Sequence, residues 1–193
     1  MSTGWSAKSL LVVGLGITVA VSLQSGPAEG GQQQNAQVER GKYLVGITGC
    51  HDCHSPKLNA ALEPDMTRPL SGRPSTTPVP AATKTEIHAS LDFTAFGGPW
   101  GQSVAANLTP DGTTGIGTRY NEAQFIVAMR TGKRPNGTTM LPPMPNVVYQ
   151  NMTDDDLKAI FAYLRTIKPI RNPVLAGLKL PAGAKPAAEA PKK

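Results

Sequence analysis

The five residues Cys50-His51-Asp52-Cys53-His54 contain both cysteines of the 193-residue chain and two of its three histidines. Placing nearly every soft, ligand-forming side chain at consecutive positions ties any fold of this chain to whatever those five residues bind. Three ordinary readings of the thiols compete. A disulfide is the usual fate of two cysteines in an exported chain, but cysteines three apart close a loop too small to constrain the unfolded chain much. A thioredoxin-like redox pair calls for a βαβ pattern that the flanking sequence lacks. Structural zinc draws two ligand pairs from separated segments, and no second pair is present.

None of those readings uses the histidine that follows the second cysteine. The order C-x-x-C-H does, because it is the attachment signature of c-type haem. Each thiol forms a thioether with a haem vinyl group, and the next residue lies beneath the iron as its proximal ligand. At this composition the spacing arises by chance with a frequency on the order of 10⁻⁴, so it outweighs every other signal in the chain. One haem is therefore expected, held by Cys50 and Cys53 and ligated by His54, with His51 exposed and uninvolved. Aromatic residues make up 5% of the chain, against 20 Gly and 18 Pro. An all-protein core would be thin, and a covalent haem would supply the missing volume.

A haem iron that carries electrons without reacting with small molecules needs a second axial ligand. Met129 lies on an apolar helical face and suits a core role, Met66 sits in a polar loop, and Met152 precedes a helix and could serve as a hydrophobic staple. Met140 and Met144 share the stretch Thr139-Met140-Leu141-Pro142-Pro143-Met144-Pro145-Asn146. Proline on both sides of Met144 fixes φ and removes amide donors, giving a stiff segment able to hold a thioether in place. Met144 is the expected ligand, with Met140 and His88 as rivals.

Lys8 followed by the apolar run LLVVGLGITVAVSL and small residues up to Ala28 reads as a signal peptide over residues 1–28. The run is shorter than the roughly 20 residues of a membrane-spanning helix, although an uncleaved anchor is the alternative. Residues 29–36 are expected to form a linker, 37–172 the folded domain and 173–193 a Pro/Ala/Lys-rich tail too polar to fold. Within the domain, Val38, Tyr43, Leu44 and Ile47 mark an amphipathic helix over 37–48. Asn121 and Gln124 form a capping box for a helix ending at Gly132, with Phe125, Val127, Ala128 and Met129 as its apolar face. Thr153 caps a third helix with three aspartates in its first turn and a stripe of Leu157, Ile160, Phe161 and Leu164, closed by Lys168-Pro169. Residues 55–118 show no sustained period and are expected to be long Pro/Gly-rich loops with room for a short two-stranded hairpin.

With these motifs in order, the chain resembles the class I c-type cytochromes, and in particular the cytochrome c domains of membrane-bound alcohol and gluconate dehydrogenase cytochrome subunits. The resemblance is carried by the haem motif, Arg40-Gly41-Lys42-Tyr43-Leu44, Asn107-Leu108-Thr109-Pro110-Asp111 with Thr114-Gly115-Ile116-Gly117, Ala128-Met129-Arg130-Thr131-Gly132, Pro142-Pro143-Met144-Pro145, and Met152-Thr153-Asp154-Asp155-Asp156-Leu157 with Ala162-Tyr163-Leu164. It implies a mainly α fold with three or more helices around one covalent haem. It also implies that the first and last helices cross, with Gly41 close to Phe161 and Tyr163, and that His54 and Met144 are the axial ligands. Those dehydrogenase subunits usually carry several haem domains in tandem, whereas one motif is present here.

The function expected is that of a periplasmic electron-transfer protein, not an enzyme, whose single haem cycles between Fe(III) and Fe(II). A haem-bearing, electron-accepting subunit of a dehydrogenase or oxidase complex is one alternative, and a five-coordinate haem enzyme or gas sensor is another. A formal net charge of +6 favours a redox partner with an acidic docking face. The basic residues are scattered without interleaved aromatics, which argues against nucleic acid. Membrane association is expected only through an uncleaved N-terminal segment.

Overall fold

The computed structural model describes Met1 and residues 28–175. The expected signal segment and most of the tail lie outside the described residues. In chain order the elements are α1 (Ala28–Ile47), α2 (Cys50–His54), β1 (His88–Ala89), β2 (Ala95–Gly98), β3 (Gly101–Val104), α3 (Glu122–Thr131), α4 (Asn146–Tyr149) and α5 (Asp154–Thr166).

α1 begins well before the apolar period becomes visible, so residues 29–36, expected as a linker, are helical. Extending an existing helix costs far less than nucleating one, and Gln and Ala are good helix formers. Residues 30–36 are exposed, so this end of the helix carries no apolar period. The buried face also differs from the expected one. Leu44 and Val45 are buried, but Tyr43 and Ile47 are 57% and 60% exposed. The face is centred on Gly41, where α1 crosses α5 so closely that a Cβ would lie 1.9 Å from the Ala159 carbonyl oxygen and 2.8 Å from Tyr163 Cβ. A glycine contributes no hydrophobicity, so a search for apolar spacing places the stripe on the wrong side.

α5 follows its sequence closely. Thr153 Oγ1 accepts from the Asp156 amide at 3.1 Å, and Leu157, Ile160, Phe161 and Leu164 are buried in the main core. α3 has the full capping box, in which Asn121 Oδ1 accepts from Gln124 N and Gln124 Oε1 accepts from Asn121 N. Gly132, at φ 69°, closes it in the left-handed conformation that favours glycine. Phe125, Ala128 and Met129 are buried, whereas Val127 is exposed, because two residues at 100° per step put it on the opposite side from 125 and 129. The Phe125 ring packs on Phe161 at 5.2 Å between centroids, joining α3 to α5.

Between α2 and α3 the chain forms a three-stranded antiparallel sheet in the order β1-β2-β3, where a two-stranded hairpin was expected. Register is set by Ala95↔Val104 through Gly98↔Gly101 on one side of β2 and by His88↔Gly97 and Ala89↔Phe96 on the other. β1 is two exposed residues long, too short for alternation to show. The rest of this region is irregular and held by polar side chains. Buried Asn107 donates to Thr114 Oγ1 and the Ile170 carbonyl, and accepts from Thr109 N and Oγ1. It thereby fastens the central loops to the chain after α5.

Candidate functional site

α2 consists of the motif alone. Gly49 precedes it at φ 73°, a conformation that suits glycine, and Thr48 Oγ1 donates to the Leu44 carbonyl at 2.8 Å. One helical turn brings Cys50 and Cys53 onto neighbouring positions, Cys50 buried and Cys53 half-buried. Before any attachment, burial pushes both thiols up from the ordinary cysteine range. Tyr149, on α4, donates its hydroxyl to the Thr48 carbonyl at 3.0 Å and pins the approach to the motif.

His54 is oriented entirely by backbone. Its Nδ1 lies 2.8 Å from the Ala106 carbonyl oxygen, and because a carbonyl can only accept, Nδ1 carries the proton. In the neutral ring Nε2 is then the lone-pair nitrogen. Burial lowers the His54 pKa, against a smaller opposing effect of the Ala106 carbonyl, which favours the neutral ring that metals require. The His54 carbonyl accepts from Gly72 N at 2.7 Å. Gly72, at φ 78°, sits where a Cβ would approach Ala105 and Ala106 backbone to 2.6–2.7 Å. Leu108 N to Leu70 O and Arg73 N to Ala105 O pair these two loops beside the histidine.

His51 is not exposed, as expected, but half-buried, with Nδ1 2.9 Å from the oxygen of fully buried Ser55. That same oxygen accepts from Leu70 N at 2.9 Å, so the position after Cys50 helps to dock α2 on the loop that carries Gly72. Lys57 closes the motif, its ammonium donating to the carbonyls of His51, Asp52 and Ser55 at 3.1, 2.8 and 2.6 Å. A cation at a helix C-terminus is favourably placed against the carbonyl dipoles.

The rival distal ligands separate. Met129 is buried in the main core and Met66 is exposed. Met152 packs against the core at the turn before α5, with its carbonyl accepting from Arg130. His88 is exposed on β1, with Nε2 2.7 Å from Glu86. The Met140 sulfur accepts from Asn146 Nδ2 at 3.5 Å. Met144 is half-buried against the core, one residue before the Pro145 that caps α4. Two neighbouring thiols and a neutral imidazole with its outer nitrogen already bonded form a donor set that fits a covalently held haem.

Sequence reasoning missed Ala106, Gly72 and Ser55. The first two act through backbone atoms, which carry no residue-type signal.

The sequence profile described as Cytochrome c matches residues 38–168. The chain belongs to the cytochrome c family. As a cytochrome c it is a carrier of electrons on covalently bound haem c rather than a catalyst, and its five helices and small sheet among the described residues are consistent with the class I fold. Similar proteins include the gluconate 2-dehydrogenase cytochrome c subunit of Pantoea cypripedii, 33% identical over 81% of this chain and 28% of that protein. The alcohol dehydrogenase (quinone) cytochrome c subunit of Gluconobacter oxydans (strain 621H) is 30% identical over 88% of this chain and 28% of its own length. The fructose dehydrogenase cytochrome subunit of Gluconobacter japonicus is 40% identical over 41% of this chain and 16% of its own. The chain thus spans roughly a quarter or less of the curated relatives it matches.

Proposed function

We propose that this cytochrome c is a periplasmic electron carrier with a single haem, attached through Cys50 and Cys53 and ligated by His54 Nε2 and Met144 Sδ. The His54 Nδ1 contact with the Ala106 carbonyl carries the reading, because it fixes the tautomer and ring orientation that a proximal ligand needs. Bound there, the haem supplies a one-electron ferric/ferrous couple. The chain's own residues set the conditions of that couple. The Ala106 carbonyl raises the basicity of the imidazole, and the Met144 thioether favours the ferrous state and raises the potential. Leu44, Cys50 and Leu70 are buried together in the core cluster beside the motif.

The relatives are cytochrome subunits of gluconate, alcohol and fructose dehydrogenases, which favours a dehydrogenase or its electron acceptor as the partner. The net charge of +6 suits an acidic docking face and a small, transient interface. The apolar run after Lys8 supports export to the periplasm.

The test is the visible spectrum of purified protein, oxidised and reduced, with and without carbon monoxide, beside Met144→Ala. A low-spin spectrum with a thioether-to-iron band lost in the variant, and no carbon monoxide response in the wild type, is expected. A high-spin wild type that binds carbon monoxide rapidly would overturn the Met144 ligation and move the function toward catalysis or sensing. Haem that is extracted whole under denaturing conditions would overturn attachment through the two cysteines.

A further inference from the structure

The sheet between α2 and α3 has a single direct tie to the methionine loop among the described hydrogen bonds. At the β2–β3 turn, Gly98 pairs with Gly101 and leaves Pro99 and Trp100 as the connection. The Trp100 ring folds back over Gly98, where a Cβ would meet ring carbons at 2.7 Å. From there its Nε1 donates to Ser103 Oγ at 3.2 Å. The Ser103 hydroxyl in turn donates to the Pro142 carbonyl at 2.6 Å, two positions before Met144. Pro142, Pro143 and Pro145 have no amide hydrogens, so the loop can donate little of its own backbone, and a carbonyl anchored from outside is one of the few ways to fix it.

The same strand continues to Ala106, whose carbonyl orients His54. Four residues, 103–106, therefore reach both ligand-bearing elements, over about 10 Å at strand rise. The far side of the sheet is itself secured. Gln102 Nε2 donates to the Pro80 carbonyl at 2.7 Å, and Gly97 lies so close to Ala81 that a Cβ would be 2.2 Å from its carbonyl oxygen.

We infer that β3 and its continuation are a strut between the two axial positions, and that Ser103, backed by Trp100, is a positioning residue that holds the Met144 loop closed. This rests on the assignment of Met144 as distal ligand. In the closed loop the thioether occupies the sixth position, and opening is required before an external ligand can take it. Removing the hydroxyl leaves the Pro142 carbonyl to solvent and raises the population of the open loop.

The experiment is a titration of the ferric, haem-loaded full chain with imidazole, which competes for the sixth position with an affinity proportional to the open fraction. Loss of one neutral hydrogen bond predicts about a fivefold tighter apparent affinity for Ser103→Ala. Ser103→Thr, which keeps the hydroxyl, is expected to return to within about twofold of wild type. In a Met144→Ala background the Ser103→Ala effect is expected to vanish, because no closed loop remains to be opened. Wild-type affinity in Ser103→Ala would overturn the strut, as would an undiminished effect in the Met144→Ala background. A Ser103→Thr protein as loose as Ser103→Ala would overturn the hydrogen bond as its basis. Should Met144→Ala bind imidazole no more tightly than wild type, the ligand assignment falls first and the strut with it. Thermal unfolding of Ser103→Ala followed by helical circular dichroism is expected to show a loss no larger than that one hydrogen bond, about 1 kcal/mol, and a much larger loss of global stability would overturn a local positioning role.

Discussion

Where α1 crosses α5, the interior is made of Leu44, Val45, Leu157, Ile160 and Leu164 around the bare backbone of Gly41. Between α2 and α3 the buried apolar residues, Leu70, Phe96 and Ile116 among them, are accompanied by Ser55, Ser71, Arg73, Thr94, Asn107 and Thr109, all buried. Among the described residues, no buried side-chain nitrogen or oxygen lacks a hydrogen-bond partner. The second region adds a different kind of stabilisation to the first. Apolar packing is undirected and tolerates small adjustments, provided volume is conserved. A buried polar network is directional, and one missing member leaves its partners unpaired at low dielectric. The division suits the site: the helical crossing sets the overall frame, while the polar loops fix individual backbone atoms, among them Gly72 N and the Ala106 carbonyl, against His54.

The strongest way to break that comparison is Gly41→Val. The first added carbon would already lie 1.9 Å from the Ala159 oxygen, so the helices must separate. A loss of at least about 4 kcal/mol is expected in denaturant unfolding of the haem-loaded protein. A loss under about 1 kcal/mol would show that the crossing is slack. Asn107→Ala removes a buried amide that makes four hydrogen bonds, to Thr109 and Thr114 in the loops and to Ile170 after α5. It is expected to cost about 2–4 kcal/mol and to perturb the haem spectrum, which Gly41 variants that still fold should do less. If Asn107→Ala behaves like a surface substitution, the polar network is not what holds the loops.

Thr153→Ala sharpens the helical side, since it deletes one cap and no core contact. About 1 kcal/mol is expected from the same unfolding curves. The smallest effect near neutral pH comes from Asp92. Its burial pushes the carboxyl up, but donors from Ser90, Thr77 and Thr94 outweigh this and hold its pKa below the usual range. A depressed folded-state pKa contributes stability that is fully present above the unfolded value and is lost as pH falls through the folded one. Stability should therefore be flat from neutral pH to about 4 on this account and decline below it. Asp92→Asn is expected to flatten that acid decline, and an unaltered acid limb would remove Asp92 from the network's pH response.

Much of the helical frame was legible because capping and amphipathic signals are local. Asn121, Thr153 and Gly132 announce helix ends through side-chain or φ chemistry that depends on neighbours within a turn. The turn that presents Cys50, Cys53 and His54 together was legible for the same reason, because their spacing is local. Tyr43, Ile47 and Val127 were misplaced, since hydrophobicity alone cannot say that a glycine marks the contact or that an apolar side chain is left in solvent. The sheet was underestimated because β1 is two residues long, and His51 because its partner, Ser55, is set by docking of α2 on the 70–73 loop.

The sequence by itself determined that one turn of helix would present two thiols and a histidine, that Met144 would stand in a stiff proline frame, and which residues would begin and end α3 and α5. These depend on covalent geometry and on interactions across a few residues. Only the tertiary structure decided that the Ala106 carbonyl meets His54, that Ser103 reaches Pro142, and that the Ala159 carbonyl is what Gly41, expected near Phe161 and Tyr163, lies against. Each of those contacts joins segments far apart in the chain. All three meet a backbone oxygen atom, which every residue possesses, and the approach at Gly41 also depends on glycine having no side chain.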